Sequence, residues 1–344
     1  MCFLQSVGGS LTVNIPIALT MSMFCRQVEI DKTLTFKTCW FIHGRDAQSQ
    51  QHGPVFHAAV PCRRVRPLSK LRGEPLRVLS SVEIHAVIRE SQTREFANLG
   101  AVTIDTPLSD GDIAAAAAAV ERLLPFDAAS ERYRYSATCN YYDAALLHVI
   151  QHPFFEEVAC SVLRAQAVHF FQTAILATYP QPGAAFSYDQ HIDLQYALSD
   201  LEATPRRVVC TFFLWLTDVN EKRAPMMWRP GSHRRLAQAW EEQVALRDEM
   251  PRVIGIKMED LPALDFDRPC PLLARAGQAT VLSTAMVHGA SLNVDSAPRM
   301  ALVMTFTAAG VEVGLPEAQQ RTKEAYDAEL KHRLRPERVH LVKA

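Results

Sequence analysis

No stretch of this 344-residue chain stays apolar for the ~18–20 residues that a membrane-crossing helix needs, so no membrane partner is expected. Net charge is also lacking. The formal value is −1, which creates no long-range field to gather a polyanion. The basic residues do not alternate with aromatics, so nucleic acid is not an expected partner either. There is no glycine-rich phosphate loop and no internal repeat. Eight cysteines are present: Cys2, Cys25, Cys39, Cys62, Cys139, Cys160, Cys210 and Cys270. None forms a C-x-x-C pair, and their spacing matches no common zinc module. Cys160 and Cys210 sit among apolar residues, where a free thiol behaves as a small hydrophobe. A reducing, cytoplasmic compartment is the expectation. The N-terminal MCFLQSVGGSLTVNIPIALTMSMF lacks a basic opening, which argues against a signal peptide.

What is present falls into three parts. Residues 1–85 hold half the cysteines and a proline-punctuated basic run, PCRRVRPLSKLRGEPLR, without helical or strand periodicity. They are expected to be a leader, poorly ordered or accessory, or to precede the translated start. Residues 86–312 carry the regular patterns. A short helix ends at Gly100 and runs into a strand, Ala101–Ile104. GDIAAAAAAVERLLP is a strong helix stopped by Pro125. AALLHVI and FFEEVACSVLRAQA are further amphipathic helices, with Pro153 suited to the first turn of the second. Strands then take over: 167–179, the alternating DQHIDLQYA (189–197), 207–219, 278–288 and 299–309. RVVCTFFLWLTDV is apolar on both faces, as a central strand should be. Pro230–Gly231 make a turn, and Ser232 is a candidate N-cap for the helix that follows. Residues 313–344 form a polar C-terminal helical extension. Helices followed by many strands predict an α+β protein, a jelly roll (double-stranded β-helix) core flanked by helices.

Within DQHIDLQYA the polar residues fall on odd positions, so His191 and Asp193 share one strand face. A second histidine, His288, ends a later strand. Two histidines and one carboxylate make the facial triad that holds non-haem Fe(II) and leaves positions open for substrate and oxygen. With twelve histidines in the chain, H-x-D alone is weak. A solvent-facing strand with a local ion pair gives the same letters. Arg299, eleven residues after His288, adds weight. If the intervening turn joins antiparallel strands, its guanidinium faces the same interior and needs an anion there. Its forked donors match a carboxylate, and a dicarboxylate such as 2-oxoglutarate would supply one while chelating iron at its other end. A surface ion pair after a proline turn is the plain alternative for Arg299.

These residues and their order resemble the phytanoyl-CoA dioxygenase family of Fe(II)/2-oxoglutarate oxygenases, over roughly residues 87–310. The pieces are EFANLGAVTI, Pro182–Gly183 ahead of H-x-D, PGSHR at 230–234, AGQATVLSTAMVHGASLN, and Arg299 at the family's distance from the distal histidine. The resemblance implies that His191, Asp193 and His288 are catalytic iron ligands. It implies that Arg299 binds the far carboxylate of 2-oxoglutarate and that Gln172 contacts the cosubstrate. PGSH, with His233, is expected to be architectural. Two departures stand out. NEKRAPMMWRPGSH is longer than the family's equivalent and carries Lys222, Arg223 and Arg229. Ala290 replaces a serine that often binds the cosubstrate, with Ser291 next to it. Because Asp193 is present, halogenation, which needs a small residue there, is not expected. The expected activity is hydroxylation of an unactivated C–H in a small-molecule substrate, using Fe(II), 2-oxoglutarate and O2 and releasing succinate and CO2. Two alternatives are a non-catalytic jelly roll that binds a small ligand and an iron oxygenase that does not use 2-oxoglutarate. Substrate identity and oligomeric state are not legible.

Overall fold

The computed structural model describes residues 87–130, 132–242, 255–261 and 263–343. The leader expected over 1–85 lies outside them. The described residues belong to one compact unit.

Helix α1 (Glu90–Leu99) ends on Gly100, whose φ of 91° is the left-handed turn that releases the chain into strand β1 (Ala101–Asp105). Helix α2 (Asp110–Leu123) starts where the Ser109 hydroxyl accepts the Asp112 N–H. Strand β2 (Arg134–Thr138) leads to helix α3 (Ala144–Ile150), capped by Asp143. Helix α4 (Pro153–Leu163) follows, with Pro153 in its first turn as expected. Strands β3 (Val168–Thr178) and β4 (His191–Ile192), the short helix α5 (Leu198–Glu202), and strands β5 (Cys210–Trp215) and β6 (Met226–Trp228) come next. Helix α6 (Ser232–Glu242) and strands β7 (Ile256–Lys257), β8 (Cys270–Leu272), β9 (Gln278–Ser283), β10 (His288–Ala290) and β11 (Arg299–Ala308) complete the sheets. Helix α7 (Glu317–Arg333) closes the order. None of the described helices is long and apolar enough to cross a membrane.

The strands form two antiparallel sheets, ordered β1-β9-β5-β11-β3-β2 and β7-β4-β10-β6-β8. With helices outside, this is the jelly roll with flanking helices that the sequence predicts. Strand pleating gives the large sheet two chemically different faces. Phe212 of β5 and Met300, Leu302, Met304 and Phe306 of β11 point toward the helices and join the main hydrophobic core. Phe155 of α4 meets Phe212 edge-on, with ring centroids 5.7 Å apart. Tyr326 and Leu330 of α7 belong to the same core, so the C-terminal helix packs on the jelly roll. The opposite face looks at the small sheet.

Three local expectations are corrected. The alternation read over 189–197 yields only a two-residue strand, because the chain bends at Asp193. The strand expected over 278–288 is two strands. β9 lies in the large sheet and β10 in the small one, with Thr284–Val287 crossing between them. Ser232 is the first residue of α6 rather than its cap. Its hydroxyl accepts the Val287 N–H at 2.9 Å, which ties α6 to that crossing.

Candidate metal centre

The small sheet brings the two histidines together by register. His191 of β4 lies directly opposite His288 of β10, and the imidazole centroids are 4.7 Å apart. Gly289 permits this close pairing. A Cβ at that position would lie 1.7 Å from the Asp189 carbonyl oxygen, so any side chain would push the segment before β4 away from β10.

Asp193 reaches the pair because the strand stops. After Ile192, the N–H groups of Asp193 and Leu194 both donate to the Thr284 carbonyl, at 2.9 and 3.1 Å. That shared acceptor folds the carboxylate back under the imidazoles. Asp193 Oδ1 is 3.3 Å from His191 Nε2, and Oδ2 is 3.6 Å from His288 Nε2. Thr284 is held in turn by a buried network. Its hydroxyl donates to the Val209 carbonyl at 3.2 Å, and the Tyr196 hydroxyl sits 3.1 Å from it while accepting the Val209 N–H.

One ligand-capable atom from each of His191, Asp193 and His288 lies within 4.8 Å of the other two. His288 is 4% and Asp193 7% exposed. Burial pushes the Asp193 carboxyl up, but the His288 and His191 imidazoles outweigh it and hold it below its usual range. Burial pushes His288 down, so its imidazole is neutral at pH 7. His288 Nδ1–H donates to the Met286 carbonyl at 2.8 Å, which leaves the Nε2 lone pair facing the carboxylate. His191 Nε2 is buried without a hydrogen-bond partner. The His288 Nε2 lone pair faces the Asp193 carboxylate, an arrangement that a cation between them satisfies. A backbone acceptor on the far nitrogen is the arrangement metal-bound histidines adopt. The donor set, two imidazoles and one carboxylate, suits Fe(II).

Arg299 opens β11 on the interior face. The turn before it is latched by Asn293, whose side-chain amide donates to the Thr178 and Ala297 carbonyls, both at 2.9 Å. The Arg299 guanidinium is 4% exposed, donates to Thr178 Oγ1 at 2.6 Å and lies over the Trp215 ring at 5.6 Å. Its Nε has no partner, and among the described residues no carboxylate pairs with it. Burial, and then the nearby Arg134, push it down to about 10, so it remains a cation.

Gln172 faces the same interior, 4% exposed, with its side-chain carbonyl unpartnered. It pairs with Thr305, six residues along β11 from Arg299, or roughly 20 Å at strand rise. Gln172 and Arg299 therefore stand at opposite ends of the interior. Arg134, paired with Thr178 at the level of Arg299, reaches the Ala290 carbonyl two residues beyond His288, so the histidine pair lies toward the Arg299 end. His233 is not with the triad. It packs on Gly100, and its Nε2–H donates to the Ala97 carbonyl at 3.2 Å, the architectural role expected for PGSH. Ser291 Oγ donates to the Pro225 carbonyl at 2.7 Å and is occupied with backbone. Thr178, Trp215, Asn293, Tyr196 and Thr284 were not singled out in the sequence. Only the placement of Thr178 beside a proline-glycine turn hinted at a role.

Comparison with solved structures gives neighbours of low identity. The epimerase SnoN, in complex with Fe3+, alpha ketoglutarate and nogalamycin RO, matches with TM-score 0.49 and 18% identity, over 64% of this chain and 83% of that one. EctD from S. alaskensis with bound Fe matches with TM-score 0.45 and 16% identity, over 68% and 81%. HygX from Streptomyces hygroscopicus, with nickel, 2-oxoglutarate and hygromycin B bound, matches with TM-score 0.43 and 13% identity, over 65% and 88%. No curated protein matches the chain. The family model for phytanoyl-CoA dioxygenase matches residues 96–301, more than half of the chain and all of the sandwich up to the start of β11. The chain belongs to the phytanoyl-CoA dioxygenase family, whose members are Fe(II)/2-oxoglutarate oxygenases.

Proposed function

We infer that this protein is an Fe(II)- and 2-oxoglutarate-dependent hydroxylase of a small-molecule C–H, working in a reducing, cytoplasmic setting. His191, Asp193 and His288 hold the metal. When bound, iron with 2-oxoglutarate and O2 supplies the oxidising power that inserts one oxygen atom into the substrate and the other into succinate, with loss of CO2. Arg299 and the Thr178 hydroxyl take the far carboxylate of the cosubstrate, and Trp215 braces the guanidinium from below. Gln172, on the same interior face, offers its side-chain amide to the cosubstrate. The Met286 carbonyl holds the His288 tautomer, and Thr284 holds the Asp193 backbone, so the ligands are oriented before anything binds. The four described cysteines, Cys139, Cys160, Cys210 and Cys270, are free thiols, in keeping with a reducing compartment.

The observation that carries this reading is Arg299. A buried guanidinium without an acidic partner among the described residues, on the interior face that the triad shares, calls for an anionic ligand. The test is anaerobic titration of Fe(II)-loaded protein with 2-oxoglutarate, followed by the visible charge-transfer band. A saturable band, lost in His191→Ala and weakened in Arg299→Gln, is expected. Iron-replete folded protein that gives no band would overturn the reading in favour of a binding protein or of an oxygenase that uses iron alone.

A further inference from the structure

The backbone that carries Asp193 is gripped from two sides. Its carbonyl accepts the Gly255 N–H at 3.0 Å, next to β7, and its N–H shares the Thr284 carbonyl with the Leu194 N–H. The second grip is the one that bends the chain, because one acceptor takes two successive donors. The direction of the carboxylate therefore depends on where Thr284 stands. Thr284 belongs to no strand; it lies in the crossing between β9 and β10. Its own N–H reaches the Val209 carbonyl only at 3.5 Å, the limit of a hydrogen bond. Its side chain supplies the firmer hold.

The directions of the bonds around that side chain follow from counting protons. The Thr284 hydroxyl gives its one proton to the Val209 carbonyl at 3.2 Å. The Val209 N–H donates to the Tyr196 hydroxyl at 3.0 Å. The 3.1 Å contact between the two hydroxyls must then use the Tyr196 proton, donated to Thr284. The result is a closed ring in which both hydroxyl protons and both backbone groups of Val209 are used. Tyr196, Thr284 and Val209 are all buried, where a satisfied ring of this kind resists distortion more than its bonds do singly. Burial pushes the Tyr196 phenol far up, so it keeps the proton that it donates. Tyr196 also lies three residues after Asp193 on the same segment. The chain that Thr284 captures through its N–H groups thus returns, through Tyr196, to hold Thr284.

We propose that Tyr196 is a positioning residue for the metal centre. Its hydroxyl is spent inside the ring, and it acts through the Thr284 hydroxyl to fix the carbonyl that sets the Asp193 carboxylate. This rests on the iron reading above.

The experiment measures Fe(II) affinity without oxygen, by competition with a chromophoric Fe(II) chelator. Tyr196→Phe keeps the aromatic ring and loses only the hydroxyl. Its affinity should fall about tenfold, the lower end of what removing an outer partner of a metal ligand costs. Thr284→Val should lose about as much, and the double variant no more than either alone, since both changes open one ring. Thr284→Ser keeps the hydroxyl and should recover most of the wild-type affinity. Phe212→Ala loosens the core on the helix side and leaves the ring whole, so it should bind Fe(II) within about twofold of wild type. Amide hydrogen exchange on the metal-free protein needs no iron: the Asp193 and Leu194 N–H groups should exchange about tenfold faster in Tyr196→Phe. Unchanged Fe(II) affinity in Tyr196→Phe, or unchanged exchange at those two amides, overturns the proposal. So does an equal loss of affinity in Phe212→Ala, which would make Tyr196 one more residue that stabilises the fold, and so do losses that add in the double variant. Wild type that binds no Fe(II) would defeat the iron reading itself, and the proposal with it.

Discussion

The two faces of the large sheet are made from the same strands and are equally dry, yet they are chemically opposite. On β11, Met300, Leu302, Met304 and Phe306 meet the helices, while Arg299, Ala301, Val303 and Thr305 meet the small sheet. Every residue of the strand is buried. On the helix side, aromatic rings interlock: Phe306 lies 5.5 Å from Phe212 and 5.0 Å from Phe170. On the inner side, Gln172 Oε1, Thr211 Oγ1 and Arg299 Nε have no partner among the described residues. A protein fills one face with its own side chains and leaves the other short of partners. The first face makes the fold, and the second awaits a ligand. Substitutions that separate stability from ligand binding test this division.

The largest effect is expected on the inner side. His191→Ala removes a metal donor and leaves the sheets intact. Turnover of 2-oxoglutarate should fall by more than about 100-fold, beyond what removing an outer partner of a metal ligand costs. The unfolding midpoint of the metal-free protein should hardly move. Succinate formation and a thermal melt on the same preparation measure both. An unchanged rate would remove His191 from the site.

Phe212→Ala should show the reverse. It empties a fully buried site between Phe155 and Phe306, and a loss of about 3–5 kcal/mol in unfolding free energy is expected by urea denaturation. Protein that remains folded should bind 2-oxoglutarate as wild type does, because Phe212 points away from Arg299 and Thr178.

His233 offers a finer test, since it is a polar group spent on structure rather than left for a ligand. Burial pushes its imidazole down from 6.5 to about 4. Below pH 6.5 the unfolded chain takes up a proton there and the folded one does not, so the unfolded state is favoured as pH falls. The contribution is fully present above 6.5, is lost progressively down to about 4, and then levels, at about 3 kcal/mol in total. Urea denaturation from pH 7 to 4 should show this slope in wild type, and His233→Gln should remove that part of it.

The contrast between faces also explains what was legible in the sequence. Strands β3, β5 and β11 show as runs of β-branched and aromatic residues because both of their faces are buried. Helix α2 shows because alanine and leucine propensity is local, although its Ser109 cap was not read. His191, Asp193, His288 and Arg299 were legible as spacing, since each sits at the start of a strand or just past one. The mechanism that joins them was not. The alternation over 189–197 suggested one long strand, but Asp193 reaches its partners only because the Thr284 carbonyl, ninety-one residues on, captures two successive N–H groups and ends the strand. The division of 278–288 between two sheets depends on Ser232 accepting the Val287 N–H, which no local pattern records. Trp215 and Thr178 read as ordinary strand residues until register sets them beside Arg299.

The smallest expected change in stability is the most discriminating. Arg299→Met replaces a buried cation, whose only side-chain hydrogen bond among the described residues is to Thr178, with an apolar side chain of similar length. Were the guanidinium part of the fold's own bonding, its loss would destabilise the protein by several kcal/mol. A charge held in readiness for a ligand behaves otherwise. Removing it relieves desolvation, and the 2-oxoglutarate-free protein should be unchanged or more stable, within about 1–2 kcal/mol. Thr178 keeps its backbone bond to Asn293, so the strand end stays anchored. The same variant should lose 2-oxoglutarate affinity by more than about tenfold, and adding 2-oxoglutarate should no longer raise the melting temperature as it does when ligand binds only the folded state. Melting curves of wild type and variant, each with and without the cosubstrate, measure all four states. A variant that is markedly less stable without ligand would place Arg299 among the residues that build the fold, and the inner face would lose the feature that sets it apart from the outer one.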